Sequence, residues 1–456
     1  MELETTGWAK DQWGECKLGD KRRVARAVKM GIKMAQAPEA GLPGQMGGRT
    51  DLIGAYRLLN NREVSVSKLI EPHLAGTLAV ARERSQAGQV ILMIHDGSVL
   101  DFSAHPQTKG IGSVGSRQQQ GMILHSVLAV GADSKEVLGL AHLEVFVRPE
   151  EKSAHTGGRR SSGPEGQAWE NGVRSVGHAP ANTTWVHVSD RESDVFEYMA
   201  LCLAHDSHFV VRGRWNRALE TDTDESTKLV DKVRSLPPNP NAASYWVDVD
   251  ATAKSPKRRA HIVMSWCAME VRPPQHVKGA AAHPLQINVI RAWEPNPPLG
   301  AEQVEWILLT SLPVTNADQA RQIVHYYECR WMIEDFHMSL KTGCRYEHSQ
   351  LDHGLDLQNL LGFAAPIAVR LLQLRQAARI TPDLPAATIV DPLILRLLMA
   401  HFKFMTILTI NQFWLAVARL GGYVGQPLKH PPGWRTIWKG WHTLSAWVQG
   451  VHLLAT

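Results

Sequence analysis

Five side chains of different chemistry lie at helical spacing in the segment HYYECRWMIEDFHMSLKTGCR, which runs from His325 to Arg345. They are Tyr327, Arg330, Glu334, His337 and Lys341. On a helix with about 100° per residue, all five fall on one stripe. Such a stripe is often a solvated face held by opposite charges four residues apart, and Arg330 with Glu334 is such a pair. The alternative is a functional face that combines cations with a carboxylate.

Two predicted strands end in aspartate. The apolar run QVILMIHD ends at Asp96, and TWVHVSD ends at Asp190. Ligand-handling residues of open α/β sheets gather at the carboxyl ends of strands, so Asp96 and Asp190 are neighbours if their strands are adjacent. Asp101 and Asp194 lie close by in the sequence. The strand ends favour Asp96 and Asp190 over them.

Asp96, Asp190 and Glu334 together form a set of three carboxylates. Such a set is unfavourable unless cations are present, and hard oxygen ligands suit Mg²⁺ or Mn²⁺. Two such ions support in-line displacement at a phosphodiester. Arg330, Lys341 and Tyr327 would then contact phosphate groups.

The surrounding pattern predicts an α/β core around a mixed sheet. Strands are predicted at 89–96, 122–130, 137–148, 184–190 and 208–214, with a helix at 192–205. Residues 214–300 are rich in proline, glycine and polar residues, with short alternating strands between them, which predicts a β-rich insertion. A strand at 304–314 then precedes the helix that carries Glu334.

Helical segments flank this core. Residues 1–67 form one predicted helical domain, in which Asp20 caps the basic stretch KRRVARAVKMGIKMA and a second helix covers 50–61. The basic face is either an ordinary solvated surface or a phosphate-contacting one. Residues 68–369 form the predicted core domain, and 370–456 a helical domain that packs on its own protein or forms a dimer interface.

Composition sets further bounds on the chain. With 456 residues, of which 44% are hydrophobic and 20% charged, it is long enough for two or three folded domains. Five scattered cysteines without a CxxC pair indicate a reducing compartment and argue against structural zinc. No secretory signal or membrane-spanning run is recognised, so no membrane partner is expected. The net charge of +5 permits a polyanionic partner.

The residues also carry a resemblance. The spacing Tyr327-x2-Arg330-x3-Glu334-x6-Lys341 resembles the Tyr-Arg-Glu-Lys signature of the insertion-sequence-four family of bacterial cut-and-paste DDE transposases. DRESD at 190–194 resembles the family's Asp-Arg-Glu-Ala-Asp segment. The resemblance runs from about residue 7 to 453 and is broken mainly in the insertion. GSVLDF after Asp96 departs from the family's Thr-rich turn.

This resemblance implies an RNase H-like core with Asp96, Asp190 and Glu334 as the catalytic, metal-binding triad. It also implies Mg²⁺ as the cofactor, with Mn²⁺ as a substitute. Members of the family bind their element's terminal repeats as a homodimer. They nick the end, release it through a DNA hairpin and join its 3′-OH to target DNA, in the bacterial cytoplasm at the nucleoid.

Nine residues match positions at which the family contacts DNA. They are Tyr327, Arg330, Lys341, Trp306, Arg212, Trp331, His337, Arg57 and Arg345. Trp306 would stack on an extruded base, whereas the alternative is an ordinary core tryptophan. Arg212 could equally be a surface arginine, and His337 a packing residue. Arg57 would contact the end sequence, while Arg345 lies where the chain diverges from the family.

Two other functions compete with the transposase. One is an RNase H-like nuclease or resolvase without strand transfer, against which the Tyr-Arg-Glu-Lys segment and the insertion argue. The other is a catalytically silent DNA-binding relative that acts as a transposition inhibitor or a domesticated protein. The intact triad and the basic N-terminal region argue against this second function.

Overall fold

The computed structural model describes residues 5–115, 119–148, 163–220, 228–249, 256–278, 283–388, 390–404, 406–426 and 432–454. Its helices are α1 (Thr5–Trp13), α2 (Lys21–Gln36), α3 (Leu42–Met46), α4 (Arg49–Leu59), α5 (Val66–Gln86), α6 (Pro164–Val176), α7 (Phe196–Ala204), α8 (Leu229–Ser235), α9 (Ala317–Glu328), α10 (Trp331–Met338), α11 (Gly354–Ile380), α12 (Pro392–Phe402), α13 (Ile410–Leu420) and α14 (Trp434–Leu454). Its strands are β1 (Ile91–Asp101), β2 (Gly112–Ser113), β3 (Gln120–Gly131), β4 (Val137–Phe146), β5 (Trp185–Ser189), β6 (His208–Arg212), β7 (Tyr245–Val249), β8 (Arg258–Val271), β9 (Leu285–Trp293) and β10 (Glu305–Thr310).

These strands form one mixed sheet in the order β2-β3-β1-β5-β6-β10-β9-β8-β7, with β4 also paired to β3. β1, β5 and β6 run parallel to one another. The other pairings are antiparallel. The α/β class with a mixed sheet is therefore confirmed.

β1 does not end at Asp96, so that prediction was wrong. It pairs with β3 along its whole length and continues to Asp101. The length of β1 is set by this antiparallel partner rather than by its own apolar run. Its parallel pairing with β5 covers only Ile91–Ile94. Asp96 therefore still lies just beyond the parallel part of the sheet, where β5 ends and Asp190 follows.

The region 214–300 contributes β7, β8 and β9, which correspond to strands predicted within the insertion. β9 pairs with β10, and β10 pairs with β6 of the central sheet. The inserted strands therefore extend the sheet rather than form a separate one.

Both faces of the central sheet are covered. Leu92 and Ile94 of β1 belong to a core shared with α5 and with the α9–α11 segment. Ile91 and Met93 point to the opposite face, in a core shared with α6. Because side chains alternate along a strand, Asp96 lies on the same face as Ile94, toward α10.

One stretch of the described chain, Gly354–Ala377 within α11, is long and apolar enough to cross a membrane by length and composition alone. Of its most apolar window, 78% is buried inside the structure. Burial in the core accounts for this apolar character. α11 also runs through positions 369 and 370, so the boundary predicted there falls inside a helix. The three-domain division stays a prediction.

Candidate active site

Asp96 and Asp190 lie at one edge of the sheet. The preceding residue on β1, His95, and His187 on β5 share a hydrogen bond of 2.7 Å between Nε2 and Nδ1. Both imidazoles are fully buried. This bond joins the two strands immediately behind the carboxylates. Asp190 itself accepts a hydrogen bond of 2.8 Å from the backbone of Glu192, which caps the short turn that follows β5.

The segment expected to be one helix is divided into α9, α10 and a π-helical turn at Ser339–Gly343. Cys329 and Arg330 keep right-handed helical angles between α9 and α10, so the backbone stays helical. Tyr327, Arg330 and His337 are only 3%, 8% and 6% exposed. The solvated-face interpretation of this stripe is therefore wrong, because most of it packs against the sheet.

Arg330 lies between two of the three carboxylates. One terminal nitrogen donates a hydrogen bond of 2.7 Å to Glu334, as the sequence spacing predicts. The other terminal nitrogen is 3.6 Å from an oxygen of Asp96. Arg330 thus links the sheet edge to α10.

The electrostatic environment of Asp96 is unfavourable for a negative charge. Burial raises the pKa of Asp96 to about 7; the Arg330 guanidinium lowers it, while the charges of Asp190 and Glu334 raise it. Asp190 and Glu334 therefore each lie close enough to Asp96 to disfavour its charge. A cation in addition to Arg330 would relieve this repulsion.

The side chains of Asp96, Asp190 and Glu334 are not arranged in a metal-ligating geometry in this structure. In the described part of the chain, no group of three His, Cys, Asp or Glu side chains is arranged to hold a metal ion. Arg330, rather than open space, lies between Asp96 and Glu334. The donor set still fits a hard divalent cation, because it is made of carboxylates around a buried, destabilised aspartate. The assignment of the triad as metal ligands stays a prediction.

His337 faces the same cluster from α10. Its Nε2 and the hydroxyl of Ser126 on β3 are 2.8 Å apart, and its Nδ1 is 4.0 Å from Asp96. Burial, followed by the charges of Lys341 and Arg330, lowers the pKa of His337 to about 3. The ring is therefore neutral, and Ser126 fixes its orientation toward Asp96.

Lys341 is bound within the protein. Its ammonium donates to the carbonyl oxygen of Val99 at 2.5 Å and lies 3.5 Å from a carboxylate oxygen of Glu347. The same Glu347 oxygen accepts the backbone N–H of Asp101 at 2.9 Å. Lys341 must leave Glu347 before it can neutralise a phosphate.

Trp306 and Arg212 lie at the same edge of the sheet. The indole of Trp306, half-buried on β10, packs edge-to-face against Tyr327 with ring centroids 5.8 Å apart. Arg212, the last residue of β6, donates to the carbonyl of Glu305 at 3.3 Å. The structure thus brings Trp306 against Tyr327 of α9, and Arg212 against the residue that precedes Trp306.

The remaining predicted contacts lie further out. Trp331 is 58% exposed, and the Arg330 guanidinium carbon is 4.8 Å from its ring centroid. Arg57 is exposed on α4, and Arg345 is exposed with a left-handed φ of 48°. Neither Arg57 nor Arg345 forms a hydrogen bond or ion pair with the triad within the described ranges.

The basic helix α2 is partly neutralised. Asp20 caps it as predicted, by accepting the backbone N–H of Arg22 at 2.8 Å. Asp51 of α4 then pairs with Arg26, Lys29 and Lys33 at 3.0, 2.6 and 3.0 Å. Three cations of the basic face therefore have a carboxylate partner.

Sequence reasoning missed Ser126 and Glu347. Ser126 interrupts the apolar strand β3, and a polar residue in an apolar run is a usable signal. Its partner, however, is 211 positions away in the sequence. Glu347 lies in the stretch where the chain diverges from the family, so no motif marked it.

Comparisons with known proteins found matches in two regions of the chain. Residues 5–64 match the family model for transposase DNA-binding, and residues 181–366 match that for the transposase DDE domain. The second match includes Asp190 and Glu334, and Asp96 lies ahead of it. The chain is also similar to the piggyBac transposase in a cryo-EM structure of its synaptic complex with hairpin DNA, with 9% identity over 96% of this chain and 84% of that chain and a TM-score of 0.37. The two family matches support a DDE transposase with a DNA-binding region ahead of its DDE domain.

Proposed function

We propose that this protein is a transposase of the insertion-sequence-four family, closest to the transposase of the Tn-five transposon. It binds the terminal repeats of its element and carries out nicking, hairpin formation and strand transfer. The observation that carries the proposal is the convergence of Asp96 and Glu334 on Arg330, with the charge of Asp190 acting on Asp96. The transposase DNA-binding match at 5–64 supports DNA as the substrate.

The core is RNase H-like in this proposal. Strand order supports it, since antiparallel β4, β3 and β1 are followed by parallel β5 and β6. In such a sheet the carboxyl ends of β1 and β5 bring residues from distant parts of the chain together.

The DDE domain match supports a divalent metal, which we propose to be Mg²⁺ with Mn²⁺ as a substitute. Asp96, Asp190 and Glu334 would hold the metal, which would supply activation of the attacking oxygen and stabilisation of the leaving oxygen. Arg330 holds Glu334 and binds the phosphate beside it. Tyr327 and Lys341 bind flanking phosphates, Lys341 after it leaves Glu347. His337, oriented by Ser126, keeps Asp96 in place.

Trp306 and Arg212 handle the extruded base during hairpin formation. The packing of Trp306 on Tyr327, and the hydrogen bond from Arg212 to the residue before Trp306, support this role. Trp331 and Arg345 extend the DNA contact outward from α10, and Arg57 contacts the end sequence. The protein acts on paired ends as a homodimer, through residues 370–456, at the nucleoid of the bacterial cytoplasm.

A DNA-binding relative that does not cut is the second candidate function. One observation favours it: Arg330 lies where a shared cation would bridge Asp96 and Glu334. Such a protein would bind the ends and inhibit transposition or serve another DNA-binding role.

Product analysis separates the two functions. A duplex of the element's own end is incubated with protein in Mg²⁺, Mn²⁺ or Ca²⁺, and products are resolved on a denaturing gel. Nicked strands that become hairpins in Mg²⁺ or Mn²⁺, and joined products when target DNA is added, are expected. Tight binding of the end without a cut strand in any metal would contradict the proposed catalysis and establish the second candidate.

A further inference from the structure

Trp215 is an exposed tryptophan at the catalytic edge of the sheet. Its side chain is 52% exposed, and the guanidinium carbon of exposed Arg214 lies 5.0 Å from its ring centroid. Arg214 and Trp215 follow β6, which runs parallel to β5. They therefore emerge at the same end of the sheet as Asp190, which follows β5.

The loop that carries Trp215 is anchored from within. Asp194 is only 1% exposed, and its Oδ2 accepts the backbone N–H groups of Arg214 and Trp215 at 2.6 and 2.9 Å. Its Oδ1 accepts from Nε of Arg217 at 3.0 Å. Asp194 ends the turn that Asp190 begins, so the loop after β6 is fixed directly to the turn that carries a triad residue.

The two tryptophans at this edge differ in their surroundings. Trp306 is half-buried and packs against Tyr327. Trp215, by contrast, has no aromatic neighbour among the described residues, and a cation lies over its ring. An indole held in a fixed loop and left open to solvent is suited to receive a planar ligand.

We propose that Trp215 and Arg214 form a binding site for an unpaired DNA nucleotide on the strand that passes the triad. The base stacks on the indole, and Arg214 neutralises the adjoining phosphate. Bases inside a duplex are covered by their neighbours, so an indole face recognises an unpaired base instead. This site is distinct from Trp306. The inference rests on the proposed function, because that function places a DNA strand beside Asp190.

The site is tested by measuring how tightly the Glu334→Gln protein binds two DNAs. The Glu334→Gln substitution is used because it removes cleavage from the assay. One DNA is a blunt duplex of the element's end, and the other carries a single-stranded extension of about six nucleotides with one 2-aminopurine. Trp215→Ala should weaken binding of the extended DNA by about 5- to 100-fold and change blunt-duplex binding by no more than about twofold. Trp215→Phe should keep most of the affinity and the quenching of 2-aminopurine.

Trp246 provides a matched control. The Trp246 side chain is 57% exposed, and the guanidinium carbon of Arg259 is 5.6 Å from its ring centroid. Trp246 lies on β7, however, which is the edge strand furthest from β1 and β5. Trp246→Ala should leave both affinities unchanged. Equal losses in the two alanine variants, or an equal loss of Trp215→Ala on both DNAs, would overturn the site.

The same experiment separates this inference from the proposed function. If the unaltered protein cleaves end DNA and Trp215→Ala has no effect on the binding of either DNA, only the stacking site is overturned. A Trp215-dependent preference for extended DNA in a protein that never cleaves overturns the transposase and supports the site. Absence of binding to either DNA overturns both.

Discussion

Arg330 and Glu334 form a hydrogen bond of 2.7 Å across one helical turn, and this bond holds the guanidinium where it also reaches Asp96. A cation built into the chain therefore partly neutralises two of the three carboxylates. A metal ion that enters the site competes with, or adds to, this internal cation.

Removal of that cation should make the protein more responsive to metal. Arg330→Ala is expected to lower the free energy of unfolding by about 1–3 kcal/mol, less than for a fully buried pair because the Glu334 side chain is 42% exposed. Mg²⁺ should then raise the melting temperature more than in the unaltered protein, because Asp96 and Glu334 lack their counter-charge. Thermal unfolding in EDTA and in Mg²⁺ measures both effects.

Arg375→Ala is the matched control for this experiment. Arg375 pairs with Asp335 at 3.3 Å, and Asp335 lies next to Glu334 on α10. Its removal should leave the Mg²⁺ response unchanged. An equal or smaller Mg²⁺ shift in Arg330→Ala than in the unaltered protein would refute metal binding between Asp96 and Glu334.

Glu347 should restrain DNA binding by Lys341. Glu347→Gln keeps an acceptor for the Asp101 N–H but removes the charge 3.5 Å from the ammonium. Non-specific duplex binding at low salt should therefore strengthen by about two- to fivefold. Lys341→Met should weaken it and reduce the salt slope by about one. Fluorescence anisotropy across a salt series measures both.

Glu136→Gln controls for the loss of one negative charge. Glu136 pairs with Arg84 at 3.7 Å beside the β3–β4 turn, at the opposite end of the sheet from Asp96. If Glu136→Gln strengthens binding as much as Glu347→Gln does, net charge rather than release of Lys341 is responsible.

Ser126 should affect cleavage through His337. Ser126→Ala removes the hydroxyl 2.8 Å from Nε2, so the ring loses its fixed orientation beside Asp96. Cleavage is expected to slow by about 10- to 100-fold with unchanged affinity for end DNA. Single-turnover rates and binding curves provide these two values.

Ser265 is a suitable comparison for Ser126. It is also buried in the sheet, on β8, and its hydroxyl has no hydrogen-bond partner within the described ranges. Ser265→Ala should leave the cleavage rate unaltered. Comparable slowing in the two variants would assign the effect of Ser126 to general packing.

The central sheet was predictable from the sequence, whereas the surroundings of its carboxylates were not. Apolar runs and turn residues located β3, β5 and β6, because local pattern determines strands that are buried on both faces. The end of β1 was missed because pairing with β3 sets it. The four-residue spacing correctly gave the Arg330–Glu334 pair. The Ser126–His337 contact joins residues far apart in the chain, so only the folded sheet reveals it.

Acid should destabilise the fold through buried histidines. Gln12 is 2.6 Å from Nδ1 of His73, and Nε2 accepts the backbone N–H of Leu140 at 3.1 Å. Burial lowers the pKa of His73 from 6.5 to about 4. Below pH 6.5, His73 is protonated in the unfolded chain but stays neutral in the folded chain. The free energy of unfolding therefore decreases as the pH is lowered from 6.5 to about 4.

His73→Gln should reduce the pH dependence of the free energy of unfolding by up to about 1.4 kcal/mol per pH unit, because His73 no longer titrates. Denaturant unfolding at several pH values measures the slope. Identical slopes for the unaltered protein and His73→Gln would exclude His73 as a source of acid sensitivity.

The most direct test of the triad is first-strand cleavage of end DNA in Mg²⁺ by Asp96→Ala, Asp190→Ala and Glu334→Gln, with end binding measured in parallel. We expect each substitution to reduce the single-turnover cleavage rate by at least about 1,000-fold while affinity for the end stays within a few-fold. Cleavage at near-normal rates in any one variant would remove that residue from the triad. Loss of end binding in all three would show that the carboxylates maintain the fold rather than catalyse phosphoryl transfer.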